Sequence, residues 1–229
     1  KLDVLGQEAE YVQLAWRAGG LNSDDADILA ILSDVLSNGK CGLIDVDINQ
    51  KQLLLDARGS AYAGVDYGQV VMMGMPKEGQ TLDEVRDMLL AEVDKLRRGE
   101  WDEELIEATI ANYKRWQMSS LESNRQRANM MVDAFIAQQP WERVVGERER
   151  LEKSTKEDVV AWANEHLLDS NYAIVYKRQG EDTTQKKIEK PQITPIATNR
   201  DARSQFLEEV QMSTVEPIEP EFIDFEEDM

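Results

Sequence analysis

The spacing of apolar residues changes several times along this chain, and each change predicts an element. Tyr11-Val-Gln-Leu-Ala-Trp16 alternates in part and is rich in strand formers, so it predicts a strand ending at Gly19-Gly20. Ile28, Leu29, Leu32, Val35 and Leu36 then fall on one helical face. Asn22-Ser23-Asp24-Asp25 reads as the start of that helix, with Ser23 as cap, and Asn38-Gly39 as its end. Leu43 to Ile48 suits a further helical turn or two. Gln52–Tyr62 and Tyr67–Met75 read as two strands joined by a tight turn at Gly64-Val65-Asp66, with Pro76 closing the second.

The strongest helical signal follows. Thr81 and Glu84 form a capping-box pattern, Val85, Met88, Leu89, Val93 and Leu96 make the buried stripe, and Arg97-Arg98 followed by Gly99 make the stop. Asp102-Glu103-Glu104 opens the next helix, which faces inward through Leu105, Ile106, Thr109, Ile110 and Tyr113. Helical character continues to about Gln139, with a break expected near Ser119-Ser120. Pro140-Trp141 begins a shorter helix. Ser154 and Glu157 read as a second capping box, ahead of Val159, Val160, Trp162, Ala163, Leu167 and Leu168, and Asn171–Tyr176 is a last strand. Helices come in a block and the hairpin implies antiparallel pairing. The fold class expected is therefore α+β: a mainly antiparallel sheet covered on one face by helices.

The C-terminal part obeys other rules. Prolines at 191, 195, 217 and 220 lock φ and remove amide donors, so residues 181–229 cannot build a core of their own. Ile188, Ile193, Ile196, Ile218, Phe222, Ile223 and Phe225 are nevertheless apolar, which a free tail does not need. The expectation is a domain over 1–180 and an extended linker over 181–229, strapped to that body, with a short helix near 200–211. The chain opens on Lys1 rather than Met, and it reads as a fragment of something larger.

Charge narrows the partners. Net charge is −19. The 32 acids and 21 bases up to Gly180 leave −11, and the 13 acids and 5 bases after it leave −8. A field of this sign repels phosphates and anionic lipid, so neither nucleic acid nor membrane is an expected partner; it favours basic peptides or no partner at all, and charge that simply keeps the chain in solution explains it as well. No apolar run approaches the roughly 20 residues of a membrane span.

The search for chemistry yields no catalytic, cofactor-binding or metal-ligating residue. His166 is the one histidine, in Trp162-Ala-Asn-Glu165-His166. That resembles H-x-x-E-H with the first histidine replaced by Trp, which removes the ligand pair the motif exists to supply. His166 is expected to serve the end of a helix. Cys41, beside Lys40, is the one cysteine, and it reads as a small residue at a helix terminus rather than a nucleophile. Asp24-Asp25, Glu100 to Glu104 and Glu226 to Asp228 lack the alternating ligands and central glycine of a calcium loop. Trp101, Trp116, Trp141 and Trp162 read as packing residues.

Several segments, in order, resemble the pitrilysin or insulinase-like zinc metallopeptidases, large bacterial type. They are Gly39-Lys-Cys-Gly-Leu-Ile-Asp45, Pro76-Lys-Glu-Gly-Gln80, Leu96-Arg-Arg-Gly-Glu-Trp-Asp102, Ser154-Thr-Lys-Glu-Asp-Val-Val160 and Asn171-Tyr-Ala-Ile-Val-Tyr-Lys-Arg178. In the tail, Ile188-Glu-Lys-Pro-Gln-Ile-Thr-Pro-Ile196, Asn199-Arg-Asp201 and Ile218-Glu-Pro-Glu-Phe-Ile-Asp224 are similar to the connector of such proteins. The resemblance implies four related α+β domains in two halves that close around a peptide. It places this chain as the second, non-catalytic domain plus the linker between halves. Zinc would be held in the parent protein by residues outside this chain, the partners would be other domains of the same polypeptide and peptide substrates, and the compartment would be the periplasm or cell envelope. The alternative it leaves open is an inactive structural or peptide-binding subunit. Arg58 and Tyr62 are out of register with the family's substrate-contacting Arg and Tyr, and neither role is carried onto them.

Overall fold

The computed structural model describes residues 1–181, 183, 188–214 and 216. It divides into two units, Lys1–Gln185 and Lys186–Met229.

The first unit is built on five strands: β1 (Leu2–Gly6), β2 (Tyr11–Gly19), β3 (Asp56–Ala63), β4 (Tyr67–Met75) and β5 (Tyr172–Gln179). Their order across the sheet is β1-β5-β2-β4-β3. All pairings are antiparallel except β1 with β5, which is parallel. Strand β1 was not anticipated. Its stretch, Leu2-Asp-Val-Leu-Gly6, is short and largely exposed, so it carries no burial period to read.

The period-2 pattern of β2 decides which face is covered. Val12, Leu14, Trp16 and Ala18 are buried. Register places Leu14 between Met72 of β4 and Ile174 of β5, and Trp16 between Val70 and Tyr172. The even-numbered side chains of the central strands thus form one apolar stripe. Each fully buried Val, Leu or Met contributes about 1.5–3 kcal/mol relative to exposure.

Helices α1 (Asp25–Leu36), α2 (Leu82–Arg98) and α7 (Lys156–His166) lie against this sheet. The α2 helix follows its sequence signals closely. Thr81 Oγ1 accepts from the Glu84 amide, the Glu84 carboxylate accepts from the Thr81 amide at 2.7 Å, and Gly99 ends the helix at φ +68°. Close approach of α2 to the sheet requires Gly74, since a Cβ there would lie 2.6 Å from Val85 Cγ1.

Three local expectations are corrected. The α7 cap is Thr155 with Asp158, one residue after the predicted pair; Thr155 has the extended backbone a cap needs, while the Ser154 hydroxyl donates to the Arg150 carbonyl. Ser23 does not cap α1 and instead donates to the Gly20 carbonyl at 2.7 Å. The break in the long helical region falls at Ser123, between α3 (Glu104–Glu122) and α4 (Asn124–Ile136), because Ser123 caps α4 while Ser119 and Ser120 stay helical. Leu43–Ile48 leads into a π-helical turn, Asp45–Asn49, closed by the Gln50 amide on the Asp45 carbonyl at 2.8 Å. Short helices α5 (Trp141–Val145) and α6 (Glu147–Leu151) complete the block.

In the second unit the described element is α8 (Gln205–Met212), capped by Ser204, whose hydroxyl accepts from the Leu207 amide at 3.1 Å. Pro217, Pro220, Ile218, Phe222, Ile223, Phe225 and the Glu226–Asp228 cluster lie outside the described residues.

Candidate functional site

The histidine motif resolves into a structural corner. On α7, Trp162 and His166 are one helical turn apart, and their rings stack at 4.4 Å with planes 9° apart. His166 Nδ1 lies 3.0 Å from the Trp162 carbonyl, so Nδ1 carries the proton that this bond requires. Trp162 Nε1 donates to Asp25 Oδ1 at 2.8 Å, and Asp25 Oδ2 accepts from the Gly19 amide at 2.7 Å. The carboxylate of Asp25 therefore ties α7, the start of α1 and the end of β2 together. His166 Nε2 stands 4.0 Å from the same carboxylate. The fifth residue of the motif joins this corner through Trp162, by the ring stack and the carbonyl contact.

Cys41 is exposed, on a loop organised by the buried Asp45. The Asp45 carboxylate accepts from Ser37 Oγ at 2.9 Å and from the Asn38 and Gly39 amides at 2.8 Å each. Backbone amides that would otherwise be orphaned beyond α1 are satisfied this way. Asn38 Oδ1 in turn accepts from the Cys41 amide at 2.9 Å. The predicted acid clusters also have local partners: Glu100 pairs with Arg98, and Asp102 accepts from the Glu104 amide at a helix start. Among the described residues no group of three His, Cys, Asp or Glu side chains could hold a metal ion.

A different region was not found from the sequence. Three recesses of about 280, 390 and 230 Å³ share lining residues and form one trough between α1, the end of β3 and the α3–α6 block. The strand order ends on β3. The Asn49 carboxamide brackets Ala57, accepting its amide at 3.0 Å and donating to its carbonyl at 2.8 Å. Further along, Ala61, Tyr62 and Ala63 line the trough. Arg150 forks onto Asp27 at 2.7 and 3.2 Å, and Tyr113 donates to Glu147 at 2.5 Å. Burial first, and then Glu147, push the Tyr113 hydroxyl far above the usual tyrosine range, so it remains a donor. Asp34 and Trp116 line the first recess.

Asp34 escaped notice because it lies on the flank of the α1 apolar stripe, where a polar residue is ordinary. Trp116 was read as a packing residue, as was Trp141. Both are exposed, unlike the buried Trp101 and Trp162. Period alone does not separate these cases, because α3 has no strong apolar face in its second half.

No protein-family model matches this sequence, nor does any curated protein sequence. Solved structures do match in fold. A protease from Helicobacter pylori superposes with a TM-score of 0.71 at 19% identity, over 77% of this chain and 43% of that one. A peptidase M16 inactive domain from Pseudomonas fluorescens gives 0.63 at 13% identity, over 82% and 44%. The periplasmic protease PqqL from Escherichia coli gives 0.62 at 15%, over 79% and 21%. The chain thus spans less than half the length of each of these proteins. At these identities the likeness is one of fold: a mostly antiparallel five-stranded sheet with a block of helices, the α+β architecture of M16 peptidase domains that the ordered sequence segments resemble.

Proposed function

We propose that this chain is a non-catalytic domain of a zinc-dependent metalloendopeptidase that degrades peptides, and that it forms part of the wall of the substrate chamber. The observation that carries this reading is the fate of His166. In a peptidase-type fold, the one imidazole of the chain is engaged with Trp162, with no second histidine to share a metal. Zinc chemistry needs two or three such ligands and an open position for water. The residues present do not fit that group, so the metal and the water it activates belong to another part of the parent protein. On this reading residues 181–229 are the linker and hinge. The cell envelope is the compartment proposed, in keeping with the periplasmic location of the Escherichia coli neighbour.

The test is metal analysis together with a peptide-cleavage assay on the purified 229-residue chain. Zinc well below one equivalent, with no chelator-sensitive cleavage, is the expected result. One bound zinc per chain would overturn the proposal.

A second reading, an inactive structural subunit, is favoured by a specific feature. Helices α3 and α4 expose Trp116, Met118, Met131, Val132, Phe135 and Ile136. Apolar exposure of this extent marks a surface that another polypeptide covers. Stoichiometric zinc in the parent protein selects the peptidase, and its absence selects the subunit.

A further inference from the structure

The recess between α1 and α3 combines two groups that rarely face water together. Asp34 projects into it from α1 and Trp116 from α3, with Thr109, Ile110, Asn112 and Tyr113 around them. Among the described residues no Lys, Arg or His pairs with the Asp34 carboxylate, which is unusual for an acid half removed from water. Burial pushes its carboxyl up from the ordinary carboxylate value, and the Thr109 hydroxyl only partly opposes this. An entering cation would offset that loss of solvation.

The other polar groups nearby have partners. Tyr113 donates to Glu147 at 2.5 Å, and Asn112 Oδ1 accepts from Arg115 at 3.0 Å. Trp116 lines the recess, is 62% exposed, and its ring lies 5.9 Å from that of Tyr113 at 46°, so the indole is not covered by a stacked neighbour. A carboxylate beside an available indole face is the arrangement that takes a cation on an apolar stem. Size limits the occupant. At about 280 Å³ the recess has room for one long side chain. The recess shares Ala30 with the part of the trough lined by Ala61 and Ala63 of β3, so a peptide lying along the trough passes its mouth.

We infer that the Asp34–Trp116 recess seats the side chain of a lysine or arginine from an extended peptide bound in the trough. This rests on the peptide-chamber reading and gives it a substrate class: peptides bearing a basic residue.

The experiment measures binding of two fluorescein-labelled nonapeptides of serine and alanine to the 229-residue chain by anisotropy. One carries a central lysine, the other norleucine, which keeps the stem and removes the charge. The lysine peptide is expected to bind on the order of tenfold more tightly. Asp34→Asn should bring the two peptides level, and Trp116→Ala should weaken the lysine peptide alone. Asp66→Asn, the same charge change on the exposed hairpin turn, should leave the preference intact. Circular dichroism checks that each variant is folded. Equal binding of both peptides to the parent chain, or a preference that survives Asp34→Asn, overturns the inference and leaves the chamber reading standing. So does a preference that Asp66→Asn erases equally, since that is the −19 field of the whole chain. If neither peptide binds, the inference falls together with the proposed contact between this domain and substrate.

Discussion

Glu92 shows how far a single residue's burial can set its chemistry. It lies on α2 with a side chain 5% exposed, and its Oε2 has no hydrogen-bond partner among the described residues. Oε1 accepts from Lys95 Nζ at 2.8 Å, and Lys95 also reaches Asp47 at 2.6 Å. Burial raises the Glu92 carboxyl above its ordinary value, with Lys95 opposing. A carboxyl raised by folding favours the native state at low pH. That contribution is complete below the unfolded value and is lost as pH rises through the folded one. At neutral pH the charged form is a burden that the ion pair only partly offsets. Glu92→Gln is therefore expected to be neutral or to stabilise by up to about 1 kcal/mol at pH 7, and the gain should vanish below about pH 4. Urea unfolding at both pH values measures this, and a loss of several kcal/mol at pH 7 would contradict it. None of this is legible in the sequence, where Glu92 sits in an ordinary amphipathic helix. By contrast the absence of a histidine pair is legible without coordinates, because the chain has one histidine.

At the scale of elements, the sequence placed nearly every helix and strand but was less sure of their ends. The predicted strand from Gln52 begins only at Asp56, because Gln52 takes positive φ at the end of a turn and the chain stays irregular until Asp56. The α7 cap was misplaced by one residue because Ser154-Thr155 and Glu157-Asp158 offer two overlapping capping boxes. The choice between them was made by Arg150, whose carbonyl takes the Ser154 hydroxyl. Thr155→Ala should cost about 1 kcal/mol, and Ser154→Ala only a few tenths. Thermal unfolding of the two variants reads the difference directly, and the reverse order would restore the original assignment. Thr81, at the start of α2, has no such competitor, and its reading stood unchanged.

For the whole molecule, hydrophobicity has two different destinations. Leu14, fully buried between Met72 and Ile174, is a fold residue, and Leu14→Ala should cost about 2–5 kcal/mol. Phe135 is as apolar but 84% exposed on α4. Phe135→Ser should change stability by less than about 0.5 kcal/mol while weakening docking of any neighbouring domain. Denaturation of this chain, alongside the docking measurement that the proposed multi-domain reading calls for, separates the two roles. A large stability loss from Phe135→Ser would mean that α4 packs inward.

The sequence by itself determined the fold class, the helical block, the hairpin, and the lack of a histidine pair. These follow from local periodicity, capping chemistry and residue counts, which need no knowledge of distant neighbours. Only the tertiary structure decided that β1 pairs parallel with β5, that Asp25 ties Trp162 to the end of β2, and that Asp34 and Trp116 share a recess. Each of these joins residues more than about eighty positions apart in sequence or turns on which side of a helix is left uncovered. Burial of that kind is a property of the packed layers, and no stretch of sequence carries it alone.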